Sequence, residues 1–172
     1  MKIRQPYDLK KLKSELKNTS KGILFCFGDS FISKIIQLKT RLNSKEIVPS
    51  HVALVYDGFI YESTSQDQKI GNKTIPSGVR RWLLKDFYKV ERDKETKYIF
   101  APYDLYIPVM EKYIHYPYGV DTIVDFVLKD GSDGVSRGLI CSQYVNKVTE
   151  LLDIDCPNPA EMYREAINRG VI

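Results

Sequence analysis

The stretch Ser50 to Glu62, SHVALVYDGFIYE, limits what this chain can fold into more than any other. Two runs rich in β-branched and aromatic residues, Val52 to Tyr56 and Phe59 to Tyr61, flank Asp57-Gly58. That dipeptide tolerates positive φ at both centres of a two-residue hairpin turn. The spacing predicts a tight antiparallel hairpin in which Tyr56 faces Phe59, Val55 faces Ile60, Leu54 faces Tyr61 and Ala53 faces Glu62. One face then carries His51, Ala53 and Val55 from the first strand and Ile60, Glu62 and Thr64 from the second. His51 and Glu62 become diagonal neighbours, roughly 7–8 Å apart at the backbone and within reach of each other through the carboxylate side chain. A slip of one residue would move Glu62 to the opposite face, so the pairing depends on the turn. A carboxylate beside an imidazole holds its tautomer and stabilises the imidazolium, which leaves a nucleophile to be found.

The candidate nucleophiles are three cysteines, Cys26, Cys141 and Cys156. Cys26 lies in GILFCF, Gly22 to Phe27, which reads as a buried strand with the cysteine as a small core residue. Cys156 precedes Pro157 in a turn and reads as structural or incidental. Cys141 opens an amphipathic helix, since Cys141, Tyr144, Val145, Val148, Leu151 and Leu152 recur at helical spacing. Two readings are open at that position. Cys141 is either the first core residue of the stripe, or a thiol whose pKa the helix start lowers while unpaired backbone N–H groups there hold an oxyanion. The second histidine, His115, has no carboxylate placed beside it by any local pattern, so His51 is the stronger base.

Elsewhere helices alternate with strands. Asp8 to Lys17 reads as a polar helix. Gly28-Asp29-Ser30 breaks the first strand, and Asp29 or Ser30 caps a helix to about Leu42 with Ile32, Ile35, Ile36 and Lys39 at helical spacing. Ser65 to Ser77 reads as a polar surface loop beyond Glu62 and Thr64. Gly78 to Leu84 is a strand leading into a turn of helix to Tyr88, and Lys97 to Tyr103 is another strand. Helices at about Val109 to His115 and Val120 to Leu128 flank Tyr116-Pro117-Tyr118-Gly119. A turn-rich loop, Lys129 to Gly138, precedes the Cys141 helix, and Asn158 to Arg169 is the last helix.

A length of 172 residues fits a single domain with a substantial core, in which residues 1–21 form a basic helical extension. Apolar content of 43% and charged content of 28% are ordinary for a globular chain. No run approaches the roughly 18 apolar residues of a membrane span, and the N-terminus lacks the apolar core of a signal peptide. The expected location is therefore the cytoplasm, with free thiols. Two histidines and no CxxC pair make a zinc site improbable. The net charge of +4, with lysines gathered early, reads as a solvated helix face, and nothing marks a nucleic-acid reader.

In their order these segments resemble the circularly permuted NlpC-type papain-fold proteins, called YiiX-like or YaeF-like. The resemblance runs from Gly28 onward. It comprises Gly28-Asp29 after a strand, a helix with Ser33 and Ile35, SHVALVY at Ser50 to Tyr56 and YES at Tyr61 to Ser63. GVRRWLLKDF at Gly78 to Phe87, PYG at Pro117 to Gly119 and CSQYV at Cys141 to Val145 follow. In ordinary papain-like enzymes the cysteine helix precedes the histidine strand, whereas here His51 comes about 90 residues before Cys141, as in the permuted group.

The resemblance implies an α+β fold, an antiparallel sheet packed against helices, with the cysteine at the start of a late helix. It implies Cys141 as nucleophile, His51 as general base and then acid, Glu62 as the group orienting the imidazole, and Tyr118 as a substrate-binding tyrosine near the nucleophile. It implies hydrolysis of an amide through a thioester, with no metal or organic cofactor, on a peptide or lipid-linked amide. Related folds also include acyltransferases and lipid-acting hydrolases on the same three residues, and a binding or structural module with an inactive site is the rival from another class.

Overall fold

The computed structural model describes residues 5–17, 20–28, 47–119 and 138–172. The expected helices from residue 29 or 30 to 42 and over 120–128, and nearly all of the loop at 129–138, lie outside these residues. The chain is α+β. Helix α1 (Leu9–Glu15) and strand β1 (Gly22–Phe27) come first, then β2 (His51–Tyr56), β3 (Phe59–Thr64), β4 (Gln68–Ile70), β5 (Lys73–Ile75) and β6 (Gly78–Leu83). Helix α2 (Leu84–Val90), β7 (Lys97–Pro102), α3 (Ile107–Lys112), α4 (Cys141–Thr149) and α5 (Pro159–Asn168) complete it. Five strands form one antiparallel sheet in the order β6-β3-β2-β1-β7.

The hairpin forms in the expected register, with Tyr56 opposite Phe59, Val55 opposite Ile60 and Leu54 opposite Tyr61. Asp57 at φ 48° and Gly58 at φ 74° give the turn its two left-handed centres, matching the twist of the strands they join. Strand β1, apolar along its whole length, lies between β2 and β7 and is buried throughout. Helices cover both faces of the sheet. On one, the Tyr163 ring of α5 meets Phe25 and Phe27 edge-on at 5.4 and 5.5 Å. On the other, Phe87 of α2 meets Trp82 and Tyr98 at 5.6 and 5.9 Å. Both outer strands are partly paired. Tyr7 exchanges two backbone hydrogen bonds with Tyr98 of β7, while Val79 of β6 donates to the Tyr116 carbonyl and accepts from His115 N–H. Such pairing shields open edges.

Three expectations need correction. Ser65 to Ser77 is not a plain loop but carries the β4–β5 hairpin, which turns at Gly71-Asn72 with Gly71 at φ 58°. The Cys141 helix stops at Thr149 although its apolar stripe continues to Leu151 and Leu152. Glu150 turns left-handed, and the Asn146 side chain binds Leu152 N–H and the carbonyls of Leu152 and Ile154, drawing the chain off the helix axis. The helix expected at Val109 to His115 begins at Ile107 and ends at Lys112, leaving His115 in the left-handed region at φ 72°. Two other helices carry side-chain caps at their starts. Asp8 accepts from Lys11 N–H, and Asn158 and Glu161 form a reciprocal capping box before α5. No helix among the described residues is long and apolar enough to cross a membrane.

Candidate active site

The site lies where the two central strands part. Strand β2 stays paired with β1 as far as His51, and β3 with β6 as far as Thr64, but the β2–β3 ladder runs only from Tyr56–Phe59 to Leu54–Tyr61. In a continued ladder Val52 N–H would donate to the Ser63 carbonyl. Instead Val52 N–H lies by the sulfur of Cys141, close enough to help hold the thiol down. Ser63 Oγ donates to the carbonyl of Leu139, two residues before the cysteine. The start of α4 thus sits against the two strands where they separate.

Imidazole, carboxylate and thiol come together at this opening. The Nε2 of His51 lies 2.9 Å from Glu62 Oε2, and the same ring neighbours the Cys141 thiol, each shifting the other's proton affinity. With Nε2 given to Glu62, Nδ1 is the nitrogen left for sulfur. Cys141 and Glu62 are each 7% exposed. Arg80, opposite Glu62 in the sheet, closes the line behind the carboxylate, with Nη2 2.9 Å and Nε 3.1 Å from Glu62 Oε1.

Each group's proton affinity follows from its neighbours. Burial disfavours ionised Glu62, but the hydrogen bond and charge of His51, with the Arg80 guanidinium, outweigh it and hold the carboxyl down at about 2. Burial likewise opposes a charged His51, yet Cys141 and Glu62 on either side push the imidazole up to about 10. Burial raises the Cys141 thiol, while the His51 charge and hydrogen bond, followed by the N–H groups of Val52 and Ser142, bring it below the ordinary thiol value. The favoured state is thiolate beside imidazolium beside carboxylate, with Nδ1–H donating to sulfur and Nε2–H to Glu62.

Among the described residues, no side chain caps the backbone at the cysteine. The N-cap of α4 is Ile140, which has no side-chain acceptor, and the Gln143 Oε1 accepts from Ile140 N–H one position before the cysteine. First-turn N–H groups are therefore not consumed by a cap of the Ser, Thr or Asp kind. Tyr118 also lies near the thiol, and burial together with the Cys141 charge raises its hydroxyl. Its segment runs against Gly138-Leu139, where Leu139 N–H donates to the Pro117 carbonyl. A Cβ on Gly138 would lie 2.5 Å from that oxygen and 2.6 Å from the Tyr118 carbonyl oxygen, so only glycine allows this approach.

The remaining candidates sit apart from this arrangement. The side chain of Cys26 shares a face with His51, directly across from it, but it is buried and its thiol is raised by burial and by Glu91. Cys156 is exposed and receives the Gln143 amide at 3.2 Å. His115 is exposed, and its backbone N–H is given to Val79. Arg80 was missed in the sequence, although its register parity with Trp82 marked a charge pointing to a covered face. No protein-family model, curated protein or solved structure matches this chain.

Proposed function

We propose that the chain is a cysteine hydrolase of the permuted papain-like, NlpC type, cleaving an amide bond through a thioester. The supporting observation is one imidazole shared between a buried carboxylate and a thiol at an uncapped helix start. In this reading Cys141 is the nucleophile, His51 the proton carrier and Glu62 the group that orients the ring.

Thiolate Cys141 attacks the amide carbonyl, and the developing oxyanion accepts a hydrogen bond from Cys141 N–H at the start of α4. The C–N bond breaks as His51 gives its Nδ1 proton to the departing amine, leaving a thioester and a neutral imidazole. That imidazole takes a proton from water, the hydroxide adds to the thioester, and the thiolate leaves with the imidazolium restored. Glu62 stays ionised throughout and keeps Nε2–H directed to itself. Tyr118 lines the approach of the acyl group to sulfur. Peptides and lipid-linked amides are the substrate class this chemistry serves.

The test uses p-nitrophenyl acetate as an activated acyl probe. A burst of nitrophenolate matching the protein concentration is expected, with the acetyl group on the Cys141 peptide and slow turnover into water. An acetyl-enzyme that persists until an amine acceptor is added would make the protein an acyltransferase instead. Acetylation spread over Cys156 and lysines without a burst would defeat the proposal.

A further inference from the structure

The guanidinium of Arg80, 8% exposed, serves two groups at once. Its Nε and Nη2 both bind Glu62 Oε1, leaving the other carboxylate oxygen for His51. Its Nη1 turns the other way, to the carbonyls of Gln66 at 2.9 Å, Ile75 at 3.3 Å and Pro76 at 3.5 Å. These three carbonyls are the two feet of the β4–β5 hairpin, which leaves the sheet after Thr64 and rejoins it at Gly78, at the same end as His51.

We propose that Arg80 is a positioning residue that seats the β4–β5 hairpin and fixes the carboxylate orienting His51 through one guanidinium. The inference rests on the cysteine-hydrolase reading of the same site. A planar fork suits this double task, since its donors diverge in fixed directions, whereas a lysine ammonium is a single point charge. Glu62 is faced by Arg80 from β6 and His51 from β2, and His51 in turn by Cys141 from α4, with Cys26 on β1 and Tyr118 as the next titratable groups. Release of Oε1 lets the Glu62 side chain turn from the ring, and the thiolate then loses the imidazolium that stabilises it. A displaced hairpin has the same effect, because its carbonyls hold the far side of the same fork.

The experiment measures Cys141 alkylation by iodoacetamide against pH, peptide by peptide, in the wild type, Arg80→Lys and Arg80→Met, with hydrogen exchange of residues 68–75 in each. The wild-type thiol should react well below the ordinary thiol range. Both variants should move that acid limb upward by about one pH unit, a roughly tenfold slower reaction below the limb, and exchange in 68–75 should rise with it. Should Arg80→Met fail to fold, Arg80→Lys, which keeps the buried positive charge, carries the test alone. An Arg80→Lys limb that coincides with the wild type overturns the positioning role and leaves the hydrolase reading standing. A shifted limb with unchanged exchange in 68–75 overturns the link to the hairpin. A wild-type Cys141 that alkylates as an ordinary thiol defeats the hydrolase reading itself.

Discussion

Glu62→Gln keeps the shape of the side chain and removes its charge, which isolates what the carboxylate does for both neighbours. The native environment takes the Glu62 carboxyl from 4.5 down to about 2. At 1.36 kcal/mol per pH unit, this corresponds to ~3 kcal/mol of favourable interaction. The group is almost fully covered, so solvent screening removes little of it. A depressed carboxyl contributes stability that is present above its unfolded pKa and is lost as pH falls through the folded one. Glu62→Gln should therefore lose ~3 kcal/mol at pH 7, because Arg80 remains buried without its counter-charge. The gap from wild type should close as pH drops from 4.5 toward 2. His51 works in the opposite sense. Its imidazole is raised from 6.5 to about 10, so its contribution is complete below 6.5 and lost as pH rises through about 10. The variant should show a weaker alkaline loss, since one of the two anions holding the imidazolium is gone. Urea titrations across this pH range read both limbs. A variant within about 0.5 kcal/mol of wild type at pH 7, with the same pH dependence, would refute the charge-coupling argument.

The three thiols should separate by pH. Cys141 alkylates first at neutral pH, Cys156 follows only in alkali because the partial covering of its sulfur and the nearby Glu161 and Asp155 raise it, and Cys26 reacts only on unfolding; peptide mapping after brief iodoacetamide treatment reads the order, and a fast Cys26 or Cys156 contradicts the site. Gly138→Ala should cost ~1–3 kcal/mol by overpacking and slow p-nitrophenyl acetate turnover, because the new Cβ meets the backbone of Pro117 and Tyr118; thermal melts with the burst assay test both effects. Asn146→Ala should cost ~2–3 kcal/mol at about 1 kcal/mol per lost bond, since one amide side chain makes three hydrogen bonds to the segment after α4; chemical denaturation measures the loss, and Cys141 reactivity in the folded state should be unchanged.

The parts of the site that were legible in the sequence were those set by local rules. Asp57-Gly58 fixed a register, the register put His51 and Glu62 on one face, and their side chains meet at 2.9 Å. The start of α4 at Cys141 followed from the spacing of its apolar residues. What remained hidden depends on pairing between distant segments. Arg80 reaches Glu62 because β6 adds to β3, which no pattern within GVRRWLL reveals. The hairpin at Gln68 to Ile75 is short and polar, so its composition matched a loop, while the Arg80 contacts at its feet come from elsewhere in the chain. The early end of α4 was obscured for a related reason. Leu151 and Leu152 keep the helical spacing of the stripe, but the Asn146 hydrogen bonds redirect the backbone before they are reached.

The parting of β2 and β3 gives these groups their place on the sheet. A fully closed ladder gives every backbone N–H to a neighbouring carbonyl and has no donor to spare for a buried sulfur. Beyond Leu54–Tyr61 the strands separate, which leaves Val52 N–H to the thiol, while Ser63 Oγ donates to the backbone that leads into α4. The imidazole then stands between Glu62 and the thiol, and the line of groups alternates in sign from Arg80 through Glu62 and His51 to Cys141. Any single charge on that line would be costly to bury, but each has an opposite charge in contact. One ladder hydrogen bond, that of Val52 N–H, is thereby given up for a place beside the charged sulfur, where the neighbouring strands, β1 and β6, continue to hold the separated pair in the sheet.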